Sequence, residues 1–209
     1  ENESLWKLES FEDFLQERRN MLANELNNFL QNITVTEESV SEISLDEIIQ
    51  EGESNELEFK SSLRWSYQAG TIDKKLENVI LKSIASFGNV DGGTLLIGVD
   101  DDGQAVGLDR DFTSLNGNKD EFELHLINLI NKSFGKLFAT STLKMEFPIV
   151  NDTEICKIDV SPSTKPVYLE IADNNGQKLK KFYVRSGNSS QELDISEVNE
   201  YINSRWNSK

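Results

Sequence analysis

The residues best suited to chemistry lie in the short segment from Glu53 to Lys60. The segment alternates as a β-strand does, which places Glu58 and Lys60 on one face, about 7 Å apart along the strand. Carboxylates can hold a hard divalent cation, and a lysine can stabilise the charge that develops on a phosphoryl oxygen. Glu53, Glu58 and Lys60 therefore predict a site for metal-assisted phosphodiester cleavage, with Mg²⁺ or Mn²⁺ as the cofactor.

A third carboxylate is available in the run Asp100-Asp101-Asp102. The run follows an apolar segment that is typical of a central strand, so we expect its carboxylates at the end of that strand. The predicted metal ligands are Glu53, Glu58 and either Asp100 or Asp101. A second interpretation stays open, because Glu-x-Lys on a strand face is commonly a solvated ion pair and aspartates before a glycine commonly form a turn.

A second polar cluster occurs in FYVRSGNSS, residues 182–190. Arg185 ends a predicted strand just before a Ser-Gly-Asn turn, where the guanidinium and backbone N–H groups could bind a phosphate. The predicted phosphate-binding residues are Lys165, Arg185, Ser186 and Asn188. The alternative is that Arg185 pairs with an acidic neighbour.

Periodicity predicts the elements that must position these side chains. Residues 56–61 alternate as a half-buried strand with a charged outer face, and residues 73–87 have the spacing of an amphipathic helix. Residues 94–99 are apolar on both faces, as in the centre of a sheet. A short strand near Val106 is predicted to form a hairpin with them.

The rest of the chain mixes both kinds of element. We predict helices at about 119–134 and 196–205, and a turn at residues 174–176. Strands are predicted at about 142–147, 154–160, 167–171 and 180–185. Because helices and strands intersperse without strict βαβ repetition, the predicted fold class is α+β, with a mixed, hairpin-rich sheet packed against helices.

The N-terminal part of the chain has a different pattern. Apolar residues at seven-residue spacing predict an amphipathic helix over residues 5–33, which packs on its own protein or on a partner. Residues 34–43 are polar and acidic, and are predicted to be a linker. A capping box at Ser44 then begins the main domain. We expect a helical N-terminal segment with its linker at 1–43 and one domain at 44–209.

Composition narrows the classes of function. The net charge of −16 repels a phosphate backbone at long range and counts against indiscriminate nucleic-acid binding. More than half of this charge lies in residues 1–50, which leaves room for a local basic groove on the main domain. The sole cysteine, Cys156, excludes an internal disulfide and a cysteine zinc site, and is expected in the core.

The sequence carries no recognisable targeting signal. No apolar run approaches the length of a membrane span, and the first residues lack a signal-peptide pattern, so we expect a cytoplasmic protein. Since the chain begins at Glu1 rather than Met, we expect a processed or excised piece. A Walker motif does not occur, so these residues offer little support for ATP binding.

Three segments resemble the signature blocks of the Schlafen AlbA-like domain, which occurs in animal and prokaryotic proteins. They are GESNELEFK (52–60), IASFGNVDGGTLLIGVDDDG (84–103) and FYVRSGNSS (182–190). The three blocks occur in order and at sensible spacing. The resemblance covers about residues 44–206, and it implies the α+β fold of that family.

The resemblance also implies an activity. Animal Schlafen proteins use this domain as a metal-dependent endoribonuclease on tRNA and rRNA, whereas many bacterial relatives are described as ATP-binding or DNA-binding regulators. By resemblance, the nuclease glutamates fall on Glu53 and Glu58, the aspartate falls on Asp101 or Asp100, and the lysine falls on Lys60. The expected function is a divalent-metal-dependent endoribonuclease on structured RNA such as tRNA. The alternative is a non-catalytic regulatory module that binds nucleic acid or ATP.

Partners follow from the same resemblance. Animal nucleases join two such domains into a basic trough, whereas this chain has one. A homodimer formed through the helix at residues 5–33 would rebuild the trough. We expect RNA rather than DNA as the nucleic acid, and no association with a membrane.

Overall fold

The computed structural model describes residues 11–39, 44–172 and 176–207, with side chains except at 31–39. The described helices are α1 (Phe11–Ser39), α2 (Leu45–Glu51), α3 (Lys75–Gly88), α4 (Asp109–Ser114), α5 (Lys119–Phe134), α6 (Lys136–Thr142) and α7 (Ile195–Trp206). The described strands are β1 (Leu57–Lys60), β2 (Trp65–Ser66), β3 (Thr71–Ile72), β4 (Gly93–Ile97), β5 (Leu143–Glu146), β6 (Ile149–Val150), β7 (Thr153–Glu154), β8 (Cys156–Val160), β9 (Tyr168–Ala172), β10 (Lys178–Ser186) and β11 (Ser189–Leu193). The α+β fold class is confirmed. Within the described residues, we find no helix of the length and apolar character that a membrane crossing requires.

The chain divides into two units, Glu1–Ser44 and Leu45–Lys209, and α1 belongs to the first. The helix is present as predicted where residues are described, and residues 1–10 lie outside them. The predicted linker is wrong at residues 34–39, which continue α1. This stretch contains neither Pro nor Gly, and a helix that has nucleated extends readily through such residues. Residues 40–43, the rest of the linker, lie outside the described part of the chain.

A four-stranded sheet in the second unit has the order β1-β4-β8-β5. β1 runs parallel to β4, with Lys60 opposite Ile97, and β8 runs antiparallel to both of its neighbours. The central position of β4 is therefore confirmed, and it follows from a segment that is apolar on both faces. Beyond β4, the predicted hairpin is reduced to one bridge between Val99 and Ala105. The carboxyl ends of β1 and β4 lie at the same edge of the sheet.

A separate three-stranded sheet has the order β11-β10-β9 and is antiparallel throughout. The sequence pattern had suggested one mixed sheet that would include β9 and β10. Pro162 and Pro166 lie in the connection from β8 to β9, and proline lacks the N–H that would continue a ladder of hydrogen bonds. The second sheet packs on α3, and this contact brings β10 over the first sheet.

The first sheet is buried on both faces. One face contributes Leu95 and Ile97 to a large cluster, in which α3 supplies Ile84 and α5 supplies Phe122. The other face contributes residues such as Phe59 to a smaller cluster that α2 covers. Cys156 is buried in the large cluster, as predicted.

Several short elements were missed from the sequence. They are α4, α6, β2, β3, β6, β7 and β11. All of them contain seven residues or fewer, too few for a helical or strand period to emerge. β11 has the sequence SSQEL and carries no apolar alternation, because much of its surface is exposed.

Candidate functional site

The three sequence blocks meet at one buried arginine. Arg185 lies near the end of β10, and its side chain is fully buried. Its Nη1 donates to Glu58 Oε2, and its Nη2 donates to the backbone oxygens of Ser54 at 2.7 Å and Leu57 at 3.1 Å. The ring of Phe87 lies 5.0 Å from the guanidinium carbon. We call these contacts the Arg185 clamp; they tie the start of β1 to α3 and β10.

The clamp changes the environment expected for β1. The predicted charged outer face is wrong for Glu58, which is buried rather than solvated, because β10 brings Arg185 over it. The guanidinium points into the protein, and within the described residues its Nε has no hydrogen-bond partner. This geometry matches the alternative weighed from the sequence, in which Arg185 pairs with an acidic neighbour. A phosphate-binding role for Arg185 stays a prediction.

Glu53 and Lys60 lie beside the clamp. Lys60 Nζ is 2.6 Å from Glu58 Oε1 and 3.8 Å from Glu53 Oε1. Glu53 Oε1 also accepts a hydrogen bond of 2.8 Å from the backbone N–H of Phe59, which fixes the carboxylate against β1. Both oxygens of Glu58 thus face a cation. The positive charges of Lys60 and Arg185 balance the negative charges of Glu53 and Glu58.

Asp100 and Asp101, which follow β4, have different environments. Asp100 Oδ1 accepts hydrogen bonds from the backbone N–H groups of Asp102 at 3.1 Å and Gln104 at 2.8 Å, so it stabilises the turn. Asp101 is exposed, and it lines a cavity together with Lys60. The structure therefore brings Lys60 and Asp101 to one cavity, which Glu53 and Glu58 do not line.

These residues do not fit the expected three-carboxylate metal site as they are arranged. Among the described residues, no group of three or more His, Cys, Asp or Glu side chains is placed to hold a metal ion. The oxygens of Glu58 are paired with Lys60 and Arg185, and Asp100 is committed to its turn. A divalent cation would have to displace these partners. The Mg²⁺ or Mn²⁺ site stays a prediction without a geometry to support it.

The cavity that contains Lys60 has a volume of about 370 Å³ and lies at the carboxyl ends of β1 and β4. We call it the strand-end cavity. Its lining includes Lys60, Ser62, Trp65, Tyr67, Leu76 and Asp101. Loops that follow parallel strands diverge at this edge, which is where α/β sheets commonly bind ligands.

Two aromatic rings, those of Trp65 and Tyr67, line the strand-end cavity. Trp65 is half-buried, and the guanidinium carbon of Arg110 lies 5.5 Å from its ring. Tyr67 is 47% exposed. Burial, together with the charge of Asp111, raises the pKa of Tyr67, so its hydroxyl stays protonated and can donate a hydrogen bond. Sequence analysis missed both rings, although a Trp-x-Tyr segment soon after a polar strand end is a usable signal.

A buried aspartate positions the wall of this cavity. Asp111, on α4, accepts hydrogen bonds from the Ser62 hydroxyl at 2.7 Å and from the backbone N–H groups of Leu63 at 2.9 Å and Arg64 at 3.0 Å. Burial raises the pKa of Asp111, and the hydrogen bonds oppose that shift. Sequence analysis missed this residue, since nothing local to Asp111 indicates a partner so far away in the chain.

The predicted phosphate-binding residues are not brought together. Ser186 and Asn188 are exposed around the turn from β10 to β11, whereas Arg185 points inward. Lys165 is exposed and lines a different cavity, beside β9. Within the described part of the chain, these four residues therefore do not form a single phosphate-binding cluster.

Comparison with known proteins gives a family match. A family model described as Schlafen, AlbA_2 matches residues 53–194. No curated protein matches the chain.

Two solved structures are similar to the chain at low identity. The DIP2311 protein from Corynebacterium diphtheriae is 18% identical over 72% of this chain, with a TM-score of 0.46, and the chain spans 27% of that protein's length. The N-terminal domain of a RecG-related protein from Nitrosomonas europaea is 20% identical over 66% of this chain and 83% of that domain, with a TM-score of 0.34. These TM-scores are too low to carry an argument.

Proposed function

Since the chain belongs to the Schlafen AlbA_2 family, we propose that it binds nucleic acid and that the strand-end cavity receives an unpaired base. The observation that carries this proposal is the pair of rings, Trp65 and Tyr67, in one cavity with Lys60. Every base has a π-face that can stack on an aromatic ring, and each stacked base contributes about 1–3 kcal/mol. Arg110 lies 5.5 Å from the Trp65 ring and would attract the phosphate next to the stacked base.

Structured RNA is the proposed form of nucleic acid. Proteins recognise RNA mainly at loops, bulges and ends, where unstacked bases can be drawn into a pocket. A cavity suits such a base better than a continuous duplex, whose bases are already stacked. The net charge of −16 adds repulsion at long range, which salt screens, and among the described residues Lys60 is the one basic residue in the lining of the cavity, so we expect binding that depends only weakly on salt.

Fluorescence anisotropy with labelled tRNA and with single-stranded RNA and DNA tests the proposal. Trp65→Ala and Tyr67→Ala should each weaken RNA binding by about five- to 150-fold, the factor that corresponds to one lost stack. Tyr67→Phe is the matched control, because it keeps the ring and should retain most of the affinity. Unchanged affinity in both alanine variants, with the fold intact by circular dichroism, would remove the strand-end cavity from the binding surface.

A metal-dependent endoribonuclease is the second candidate function. The observation in its favour is that Lys60 and Asp101 share the strand-end cavity, with Glu58 in contact with Lys60. Lys60 would stabilise charge on a phosphoryl oxygen of the RNA bound there. The carboxylates that would hold Mg²⁺ or Mn²⁺ do not converge among the described residues.

Incubation of tRNA with the whole chain, with Mn²⁺ or with EDTA, tests the nuclease. Glu58→Ala is a poor probe because it also leaves the buried Arg185 without its carboxylate. Asp101→Asn is sharper, since Asp101 is exposed, and Asp102→Asn is its matched control outside the cavity. We expect Mn²⁺-dependent cleavage that is lost in Asp101→Asn and kept in Asp102→Asn. If tRNA stays intact with the native chain, the non-catalytic binding module is the function that remains.

A further inference from the structure

A second cavity, of about 390 Å³, lies between the end of α5, the segment before β9, and strands β9 and β10. We call it the lysine cavity. The lining residues that matter are Lys132, Lys165, Lys180, Glu170, Tyr168 and Pro166. It shares no lining residue with the strand-end cavity. Its volume falls within the range of small-molecule sites, which is about 300–1,000 Å³.

Three of the residues that line this cavity are lysines. Within the described residues, no ion pair joins Lys132, Lys165 or Lys180 to a carboxylate. The acidic residue of the cavity, Glu170, is occupied by Lys178, whose Nζ lies 2.7 Å from Glu170 Oε1. The chain as a whole carries 37 acidic and 21 basic residues, whereas this cavity is lined by three lysines and one carboxylate. The cavity therefore has a local excess of positive charge, opposite in sign to the net charge of the protein.

Neighbouring lysines shift the pKa of Glu170. The hydrogen bond from Lys178 lowers the pKa of Glu170, and the charges of Lys180 and Lys132 lower it further. Lysine side chains that face one cavity repel one another, and a bound anion would relieve that repulsion.

One wall of the lysine cavity is apolar and aromatic. Tyr168 is 39% exposed, and its ring packs edge-on against Phe182 at 5.2 Å, which limits its motion. Pro166 lies beside it in the lining. A rigid ring next to ammonium groups can support a sugar or base that is attached to a phosphate.

We propose that the lysine cavity binds an oligophosphate group, either free or at the end of a nucleotide or nucleic-acid strand. The charge of the ligand is the reason for this choice. A phosphodiester brings a single negative charge. A terminal phosphate brings about −1.5 to −2, and further phosphates in the same group raise the charge toward that of three lysines. A concave site also fits a compact group better than a continuous backbone.

Calorimetric titration of the whole chain with inorganic tripolyphosphate tests the site. Lys132→Gln, Lys165→Gln and Lys180→Gln should each weaken binding about tenfold or more, the factor typical of a lost hydrogen bond to a charged group. The triple variant should show no measurable binding. The matched control is Lys74→Gln/Lys75→Gln/Lys144→Gln, which removes the same charge from exposed lysines outside the cavity and should bind as the native chain does.

Equal weakening in the two triple variants would show a general charge effect and overturn the proposal. Absence of binding by the native chain up to millimolar tripolyphosphate would also overturn it. The source of the phosphate is distinguished by competition with a short RNA that carries a 5′-triphosphate, against the same RNA with a 5′-hydroxyl. Displacement by the triphosphate RNA alone identifies strand ends as the ligand, and no displacement identifies a free oligophosphate. Trp65→Ala should leave this titration unchanged because Trp65 does not line the lysine cavity, so failure here is separable from failure of the proposed nucleic-acid site.

Discussion

Glu58 and Arg185 form a buried ion pair between residues that are 127 positions apart. Removing two charges from water is costly, and the pair recovers that cost only when the remaining polar groups are also satisfied. Here Lys60 pairs with the second oxygen of Glu58, and two backbone carbonyls accept hydrogen bonds from Nη2 of Arg185. At the residue scale, these contacts make Glu58 first a structural residue, whatever further role it has.

The clamp yields a prediction about stability. Arg185→Met should lower the free energy of unfolding by about 3–5 kcal/mol, because it leaves the buried Glu58 carboxylate with one partner fewer. Lys178→Met is the control, since it breaks a solvent-exposed ion pair with Glu170 and should cost little stability. Chemical denaturation measures both.

A double variant sharpens this prediction. Glu58→Gln/Arg185→Met removes both charges and should recover part of the stability that Arg185→Met loses, because no buried carboxylate is then left with an unpaired oxygen. Equal costs for Arg185→Met and Lys178→Met would contradict a clamp that stabilises the fold.

At the element scale, the segment that connects α3 to β4 contacts the second sheet and the strand next to β4. Asn89, which follows α3, is fully buried; its side-chain amide donates to the backbone oxygens of Val167 at 2.8 Å and Tyr183 at 2.9 Å. Gly92 then turns the chain into β4 with φ +93. A Cβ at Gly92 would lie 2.5 Å from the backbone oxygen of Val160. This segment can therefore be understood through packing, without a catalytic role.

Gly92→Ala is predicted to be more damaging than an alanine at an open turn. Gly70 also has positive φ, +65, but a Cβ there would meet nothing within 4 Å. Gly70→Ala should cost about 1–2 kcal/mol from backbone strain alone. Gly92→Ala should cost a further 1–3 kcal/mol or so, because it adds a clash with a neighbouring backbone. Thermal unfolding of the two variants tests the difference, and equal melting temperatures would refute the packing explanation.

At the scale of the whole molecule, the second unit has its own core. Both hydrophobic clusters draw their residues from Leu45–Lys209. In the first unit, α1 exposes large apolar side chains, among them Leu22 at 55% and Phe29 at 61%. Apolar side chains at helical spacing are typical of a helix that packs on its own protein or on a partner helix. The proposed homodimer through residues 5–33 rests on this pattern.

Sedimentation of the whole chain and of residues 45–209 tests the dimer. We expect the whole chain to be dimeric, and residues 45–209 to be monomeric with cooperative unfolding. Leu22→Asn/Phe29→Asn should also give monomers, whereas Glu25→Gln, a polar change on the same helix, should not. A monomeric whole chain at tens of micromolar would exclude this route to a two-domain trough.

Local pattern was sufficient for much of the fold. α3, α5 and α7 have a clear apolar period and were predicted within about two residues, and β4 was recognised as central from its apolar run. Elements such as α4 and α6 were not predicted, because one or two turns leave too few residues for a period.

The candidate site was also predicted only in part from the sequence. Residue type and strand spacing were enough to single out Glu58, Lys60 and Arg185 as charged groups on predicted strands. Only the tertiary structure decided that Arg185 reaches Glu58, that Asp111 holds the wall of the strand-end cavity, and that Lys165 lies elsewhere. The physical reason is that periodicity reports how a residue relates to its near neighbours in the chain. Burial, ion pairing and the shape of a cavity depend on contacts between distant segments, which form when the layers pack.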